Sequence, residues 1–242
     1  MTRFFASPEE LGCQAVALTG ENANHARVLR LKNGEQVMLC DGQGFEALCT
    51  VETDGNNYTL HLGETTISHT EPCVRATVYM AMPKADKLEH VVQKATELGA
   101  YEIVTFPTAR CVSRPDEKSL KKKLERWQKI AASAAEQSGR GRIPEVIVLN
   151  SFSEALKRAA DADCAILFYE NERANTLRGT LTKKKYSSVS LMSGPEGGFE
   201  LWEVTQAMDA GLQICTLGTR ILRCETAPLC ALSAVMYDCG EF

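Results

Sequence analysis

The chain has 242 residues, of which 44% are hydrophobic and 24% are charged, so it can form one large domain or two smaller ones with a substantial core. No apolar run reaches the roughly 18 residues of a membrane span, and the N-terminus lacks the basic-then-apolar layout of a secretion signal. The ten cysteines form no Cys-x-x-Cys pair, and the four histidines show no metal-ligand spacing. We therefore expect a cytoplasmic protein with reduced thiols, no metal and no membrane partner.

The net charge of −4 does not by itself indicate a nucleic-acid-binding protein, but the charges are unevenly distributed. Residues 1–73 contain four Lys/Arg against ten Asp/Glu, whereas residues 110–142 contain ten against four. A basic stripe on an acidic protein can bind phosphate, and it can equally be the solvated face of a helix. Composition leaves both interpretations open.

The first part of the chain, residues 1–70, has the pattern of a small β-rich domain. Residues 35–51 form two apolar runs around an Asp41-Gly-Gln-Gly44 turn, which predicts a hairpin. Tyr58–Leu62 predicts a third strand after another Gly/Asn-rich turn. Several short strands joined by glycine-rich turns indicate a small barrel. The polar stretch 64–72 ends in proline and predicts a linker.

From residue 74 onward, predicted strands alternate with predicted helices. This alternation indicates a mostly parallel sheet with helices on both faces, and hence a second domain over 74–242. The apolar periodicity and the capping signals predict strands at 75–81, 103–106, 145–149, 164–169, 189–193 and 213–217, and helices at about 88–98, 117–138, 151 onward, 200 onward and at the C-terminus.

The basic stripe falls on the helix at 117–138 and on the loop that follows it. Trp127 lies on the apolar stripe of this helix, so we expect it in the core and not as a platform for a base. The helix is predicted to stop at Gly139, and the loop then carries Arg140 and Arg142. Arginines on a glycine-containing loop can approach phosphate more closely than lysines on a helix.

Two further stretches carry the strongest functional signal. Ser193-Gly-Pro-Glu-Gly-Gly-Phe199 follows a buried strand, and Leu217-Gly-Thr-Arg-Ile-Leu-Arg-Cys-Glu-Thr-Ala227 follows the next one. Glycines remove Cβ atoms where the backbone turns sharply or where a ligand packs against it. Two loops at the same ends of neighbouring strands are the place where an α/β sheet binds a ligand. The alternative is that both are simple strand-to-helix connections.

Together these stretches resemble the signature of the bacterial 16S ribosomal RNA (uracil-N3)-methyltransferases, a SPOUT class of S-adenosylmethionine enzymes. The resemblance implies a C-terminal trefoil-knotted α/β domain preceded by a small PUA-like β-barrel that binds RNA. It also implies a homodimer, and a substrate uridine in 16S rRNA of the small ribosomal subunit. The family usually has a histidine pair near the N-terminus, and this chain has Asn24-His25 there. The run 136–144, which includes the basic loop, also resembles the family.

The resemblance assigns the cofactor to the two glycine-containing stretches. Leu217, Ile221 and Leu222 would sandwich the adenine, and Glu196 would hold ribose hydroxyls or order its loop. The alternative for Glu196 is a structural carboxylate that caps the following helix. The predicted cofactor-binding residues are Tyr169, Glu170, Met192, Ser193, Gly194, Pro195, Glu196, Gly197, Gly198, Leu217, Gly218, Ile221, Leu222 and Arg223.

Methylation of uracil N3 requires loss of the N3 proton and access to the Watson–Crick edge of the base. Arg223 stays protonated, so we assign it electrostatic support and keep Glu225 as a candidate base. The alternative for Glu225 is a carboxylate at a helix N-terminus. Cys224 stands where the family more often has threonine. The predicted RNA-binding residues are Arg3, His25, Arg27, Arg30, Lys84, Arg110, Arg140 and Arg142.

Three other functions remain open at this point. The first is a SPOUT methyltransferase that acts on transfer RNA or on another ribosomal site, which fold alone does not exclude. The second is an RNA-binding accessory protein with an inactive pocket. The third is a nucleotide-phosphate-binding protein, although Pro195 removes an N–H donor and Glu196 repels phosphate.

Overall fold

The computed structural model describes residues 1–182 and 185–242, and the chain divides into two units. The first unit comprises Met1–Glu71 together with Ala135–Ile143, and the second comprises Pro72–Ala134 together with Pro144–Phe242. The first cut falls close to the predicted linker. The segment Ala135–Ile143, however, belongs with the first unit, although the sequence places it in the middle of the expected second domain.

The first unit is built on a curled five-stranded sheet in the order β1-β3-β4-β5-β2, in which β1 runs parallel to β3 and the other pairs are antiparallel. Alternate side chains of these strands form its core, including Phe4, Val37, Leu39 and Leu60, which are fully buried. The elements are β1 (Arg3–Phe5), α1 (Pro8–Leu11), β2 (Ala15–Ala17), α2 (Gly20–Leu29), β3 (Gln36–Cys40), β4 (Phe45–Asp54) and β5 (Asn57–Ile67).

The predicted hairpin is present as β3 and β4. The Asp41 carboxylate accepts hydrogen bonds from the backbone N–H groups of Gln43 at 2.7 Å and Phe45 at 3.0 Å, which closes the turn. The predicted third strand is longer than its apolar run. β5 continues to Ile67, and Thr65–Ile67 pair with the start of β4, so the first part of the predicted linker is strand. Its side chains there are exposed, which explains why its sequence is polar.

The segment Ala135–Ile143 is held in the first unit by a buried ion pair. Arg140 is 4% exposed, and its Nη2 lies 2.6 Å from Glu71 Oε2. Glu71 Oε1 also accepts from the backbone N–H groups of Gly141 and Arg142, each at 3.0 Å. A Cβ on Gly141 would lie 2.5 Å from the Ser68 side chain, so only glycine fits there. These contacts run within one unit but join distant parts of the sequence.

The second unit contains a six-stranded sheet in the order β11-β9-β10-β6-β7-β8, and all of its strand pairs are parallel. The predicted alternation of strands and helices is therefore confirmed. Its elements are β6 (Arg75–Ala81), α3 (Lys87–Glu97), β7 (Glu102–Phe106), α4 (Glu117–Ser138, whose last residues belong to the first unit), β8 (Glu145–Val148), α5 (Phe152–Ala160), β9 (Cys164–Phe168), α6 (Leu177–Leu181), β10 (Ser188–Ser193), α7 (Leu201–Asp209), β11 (Gln213–Cys215) and α8 (Thr226–Asp238).

Local signals determine most of these boundaries. The Ser151 hydroxyl accepts a hydrogen bond from the backbone N–H of Glu154 at 3.1 Å and caps α5, as predicted. Trp127 is buried, also as predicted. The short helix α6 carries no strong periodicity and was not predicted. No helix in the described part of the chain is long and apolar enough to cross a membrane.

Candidate functional site

A cavity of about 480 Å³ lies at the carboxyl ends of three adjacent strands, β9, β10 and β11. Three loops surround it, because parallel strands bring their carboxyl ends to one edge of the sheet. We call residues 194–200 the glycine loop and residues 216–225 the second loop. The cavity is lined by Lys87, Phe168–Glu170, Arg173, Ser193–Phe199, Thr216–Cys224 and Ala227.

The glycine loop turns back on itself through a hydrogen bond from the Gly198 N–H to the Pro195 carbonyl at 2.9 Å. Gly198 has a φ of +67°, which favours glycine, and a Cβ there would lie 2.5 Å from a Glu170 carboxylate oxygen. A Cβ on Gly194 would meet the backbone of Gly198 at 3.2 Å. Glycine is therefore favoured at 198 by its φ and by the close approach of Glu170, and at 194 by the close approach of Gly198 within the same loop.

Arg110 clamps the outer side of the glycine loop. Its Nη1 donates to the Gly197 carbonyl at 2.7 Å, while Nε and Nη2 donate to the two oxygens of Glu200 at 2.8 and 3.0 Å. The hydrogen bonds with Glu200 raise the pKa of Arg110 and lower that of Glu200. Arg110 thus makes three hydrogen bonds within the protein while it remains exposed, and its contact with RNA stays a prediction.

Glu196 has its carboxylate directed towards the start of α3. It accepts from the backbone N–H of Lys84 at 3.0 Å and from the Lys87 ammonium at 2.9 Å. Burial acts to raise the pKa of Glu196, but the hydrogen bonds from Lys87, from its own backbone N–H and from the Lys84 N–H, together with the charge of Lys87, lower it below the ordinary value. The helix-capping alternative is wrong, because α7 begins at Leu201 with Glu200 as its N-cap.

The second loop presents apolar and cationic side chains to the cavity. Leu217 and Leu222 are half-buried, and Ile221 is 81% exposed, so its apolar side chain is accessible to a bound ring. Gly218 has a φ of +110° and open space beside it, so it serves the turn and not a close approach. Arg223 is exposed and lines the cavity, as does Arg220.

Glu225 lies at the junction of the second loop and α8, where it is the N-cap residue. The Cys224 thiol donates to Glu225 Oε2 at 3.2 Å, and Lys87 Nζ lies 3.5 Å from the same oxygen. Burial raises the pKa of Cys224 to about 11, so the thiol stays protonated and donates as a hydroxyl would. Burial acts to raise the pKa of Glu225 too, but its backbone N–H, Cys224 and Lys87 together lower it.

The predicted cofactor residues therefore fall into two groups. All but one line the cavity; Met192 instead is fully buried in β10 and lies outside the lining. Sequence reasoning missed Lys87 and Arg173, which also line it. Lys87 is the first residue of α3, after the carboxyl end of a strand that neighbours β10. Ligands bind at the carboxyl ends of parallel strands, so this position in the sequence could have identified Lys87 as a site residue.

The predicted RNA-binding residues of the first unit divide into buried and exposed side chains. The Arg3 Nη1 lies 2.5 Å from Glu46 Oε2, and the two side chains are 10% and 8% exposed. Burial acts to raise the pKa of Glu46, but the hydrogen bonds from Arg3 and Ser68 and the nearby positive charges together keep it below the ordinary value. Arg140 is buried on Glu71 as described above. The contacts of Arg3 and Arg140 with RNA stay predictions, and the structure shows both guanidinium groups paired with carboxylates of the same unit.

The remaining predicted RNA contacts have different surroundings. His25 Nδ1 lies 2.6 Å from Glu136 Oε1, and its ring packs at 5.5 Å from that of Phe4. Arg142 is half-buried and donates to the Gln43 carbonyl at 2.5 Å. Arg27 and Arg30 are exposed on α2 and at its C-cap, and Lys84 is exposed as well. Among the described residues, no cluster of His, Cys, Asp and Glu is arranged to hold a metal ion.

Comparison with known proteins defines the class first. The family model of an RNA methyltransferase domain matches residues 69–236, and that of an RNA methyltransferase PUA domain matches residues 18–61. The chain is 39% identical to the ribosomal RNA small subunit methyltransferase E of Bacillus subtilis over 92% of this chain and 90% of that protein. The chain belongs to the family of ribosomal RNA small subunit methyltransferase E.

Solved structures agree in architecture. The chain resembles the ribosomal RNA small subunit methyltransferase E of Neisseria gonorrhoeae bound to S-adenosyl methionine, with a TM-score of 0.85, 30% identity, and coverage of 98% and 97% of the two chains. It also resembles a Legionella pneumophila methyltransferase in complex with SAM, with a TM-score of 0.84, 28% identity, and coverage of 98% and 97%. The predicted fold class, a SPOUT-type α/β domain with a small PUA-like β domain before it, is confirmed, and the predicted β-barrel is a curled five-stranded sheet.

Proposed function

We propose that this protein transfers a methyl group from S-adenosylmethionine to N3 of a specific uridine in 16S rRNA of the small ribosomal subunit. The observation that carries the proposal is the cavity between the glycine loop and the second loop, in a chain of this family. Its volume of about 480 Å³ lies within the range of small-molecule sites, about 300–1,000 Å³. The proposed substrate would place the enzyme in the cytoplasm.

The residues present fit the cofactor. Gly194 and Gly198 leave backbone accessible where a Cβ would fill the space between loops. Leu217, Ile221 and Leu222 provide an apolar surface for adenine, and Tyr169 and Glu170 line the same cavity. When bound, S-adenosylmethionine supplies an activated methyl group, so the protein needs neither a metal ion nor a covalent intermediate. The chain's task is to hold the acceptor nitrogen in line with that methyl group.

Arg223 and Glu225 are the groups that we assign to the acceptor. The exposed guanidinium of Arg223 can stabilise negative charge on the uracil oxygens as the N3 proton leaves. Glu225 stays ionised at neutral pH because its pKa is lowered, which makes it available but weakly basic. Its contacts with Cys224 and Lys87 hold the carboxylate in place. We keep Glu225 as the candidate proton acceptor in this protein.

The first unit would bind the RNA. Arg27 and Arg30 are exposed on one short segment, and Val28, between them, is 79% exposed. Cations beside an exposed apolar side chain are suited to a sugar–phosphate backbone and its bases. With a net charge of −4, the protein should bind naked RNA weakly. An assembled or nearly assembled subunit is the preferred substrate, because its shape adds contacts to those that charge supplies.

The homodimer that the resemblance implies is part of this proposal. Leu232, Val235 and Met236 of α8 are fully buried within the chain, so they are core residues and do not themselves support an interface. The support lies on the outer side of α8, where Tyr237 is 74% exposed and Cys230 is exposed as well. Light scattering of the purified protein tests the dimer directly, and a monomer mass at micromolar concentration would contradict it.

Two measurements test the activity. Calorimetry with S-adenosylmethionine, ATP and NAD should show binding of S-adenosylmethionine alone, which separates a methyltransferase from a nucleotide-phosphate-binding protein. Methyl transfer from labelled cofactor to purified small subunits that lack the modification, followed by mapping of the modified base, should identify N3 of a single uridine. Cofactor binding without transfer would indicate an accessory protein. Transfer to transfer RNA would indicate another substrate. Faster methylation of protein-free RNA would contradict the preference for assembled subunits.

A further inference from the structure

Lys87 is the one cation that contacts both loops of the cavity in the described part of the chain. Its ammonium lies 2.9 Å from Glu196 Oε1 of the glycine loop and 3.5 Å from Glu225 Oε2 of the second loop. It also lies 3.7 Å from the Cys224 sulfur. The Lys87, Glu196 and Glu225 side chains are 31%, 27% and 20% exposed, so water screens these contacts only in part.

The backbone before Lys87 is shaped to bring it there. Ala85 has a φ of +53°, a left-handed conformation that is uncommon for a residue with a Cβ. The N–H of Lys84, one residue earlier, donates to the same Glu196 oxygen that Lys87 contacts. A residue in an unfavourable conformation persists where its surroundings hold it in place. The turn and the ammonium therefore act on one carboxylate.

We propose that Lys87 is a positioning residue that joins the glycine loop to the second loop and so sets the cofactor site. This inference rests on the proposed function of the cavity. Without the ammonium, Glu196 and Glu225 would remain as two carboxylates with no shared counter-charge, and the loops that carry them would separate. Because Lys87 acts through the loops, its loss should weaken binding of S-adenosylmethionine and of its neutral, demethylated product S-adenosylhomocysteine by the same factor.

The test is calorimetry of the full-length protein with both compounds. We expect Lys87→Met to raise both dissociation constants about tenfold, since it removes hydrogen bonds between charged groups. Lys87→Arg should keep both within about threefold of wild type, because it retains the charge and the donors. Lys94→Met is the matched control: Lys94 lies on the same helix and pairs with Glu97 at 2.8 Å, away from the cavity. It should change neither constant.

Turnover gives a second readout. If Lys87 positions the cofactor loops, Lys87→Met should raise the KM for S-adenosylmethionine about tenfold, and kcat should fall as well because Lys87 also holds the Glu225 carboxylate in place. A loss of affinity for S-adenosylmethionine alone, or a gain, would show that Lys87 acts on the sulfonium charge and would overturn the inference. Unchanged affinity for both compounds would overturn it too. Failure of the wild-type protein to bind either compound would instead refute the proposed function.

A second variant covers the case in which Lys87→Met does not fold. Glu196→Gln keeps the shape of the side chain and removes the charge that Lys87 contacts. We expect the same tenfold loss for both compounds, about 1.4 kcal/mol. In the double variant Lys87→Met/Glu196→Gln the loss should be no larger than in Lys87→Met alone, because Lys87→Met already removes the contact with Glu196. Additive losses, or an unchanged Glu196→Gln, would contradict the inference.

Discussion

Two loops of this protein look alike in sequence and differ completely in structure. The basic loop, residues 139–143, and the glycine loop both follow a regular element, and both contain glycines within a few residues of charged side chains. In the basic loop, Arg140 is buried and pairs with Glu71, and the absence of a Cβ at Gly141 leaves space for the Ser68 side chain. In the glycine loop, Arg110 holds the Gly197 carbonyl from outside the cavity, whereas Lys87 and the loop backbone line the cavity.

The difference shows that glycines and charges in a loop do not by themselves indicate a binding site. Whether such a loop is open to a ligand depends on the position of the oppositely charged groups that pair with its side chains. Glu71 lies within the first unit and takes up the basic loop, leaving no accessible guanidinium at Arg140. In the glycine loop, Glu200 pairs with Arg110 and Glu196 pairs with Lys87, and the loop backbone remains open to the cavity.

The largest expected effect comes from breaking the ion pair between Arg140 of the basic loop and Glu71. Arg140→Ala would leave Glu71 without its main cationic partner in a buried position, so we expect the free energy of unfolding to fall by about 3–5 kcal/mol. Urea unfolding measures the loss. Arg126→Ala is the control, because the Arg126 side chain is 64% exposed in its pair with Glu89 and its loss should remove less than about 1 kcal/mol. Unchanged stability with weakened RNA binding would restore the phosphate-binding interpretation of Arg140.

The next effect concerns the glycine loop, which lines the cavity. Gly198→Val would place a Cβ against the Glu170 carboxylate and force a branched residue to a φ of +67°, so we expect affinity for S-adenosylmethionine to fall about 100-fold. Gly211→Val is the matched control, since Gly211 has a φ of +92° but no atom within 4 Å of its Cβ position. It shares the backbone strain and should leave affinity unchanged. Equal losses in both variants would mean that strain alone, and not closeness to the cavity, weakens binding.

A smaller effect would locate the RNA surface outside both loops. Arg27→Ala/Arg30→Ala should weaken binding of small-subunit RNA about tenfold and lower the log–log salt slope by roughly 0.7–0.9 for each phosphate that is no longer neutralised. Filter binding at several salt concentrations measures both quantities. Lys157→Ala removes an exposed cation on α5 and should alter neither. If the slope of the double variant matches that of wild type, these arginines do not contact phosphate.

The smallest expected effect is the pH dependence of the affinity for S-adenosylmethionine. The pKa values of Glu196 and Glu225 are lowered, so the fold favours their ionised forms. Their ion pairs are complete above the ordinary carboxylate pKa of about 4.3 and break only as pH falls through the lowered values. Affinity for S-adenosylmethionine should therefore change by less than about twofold between pH 5 and 7. Calorimetry at three pH values tests this, and a steep loss towards pH 5 would show that a carboxylate titrates there.

Local sequence patterns were sufficient to predict the alternation of strands and helices, the hairpin at Asp41, the cap at Ser151 and the burial of Trp127. They also located the two loops at the edge of the sheet. These features depend on hydrophobic periodicity and on hydrogen bonds between residues a few positions apart, which are written in adjacent residues. For the same reason the polar end of β5 was not recognised, because its pairing with β4 is a tertiary property.

Which charges are available to a ligand depends on the tertiary fold alone. The carboxylate partner of Arg3 lies 43 residues away in the chain, and that of Arg140 lies 69 residues away. Glu200 lies 90 residues from Arg110, and Glu196 lies 109 residues from Lys87. No local pattern specifies such pairs, because an ion pair depends on which side chains the fold brings within about 4 Å of each other. The same long-range pairing gave Arg3 and Arg140 carboxylate partners and placed Lys87 between the loops of the cavity.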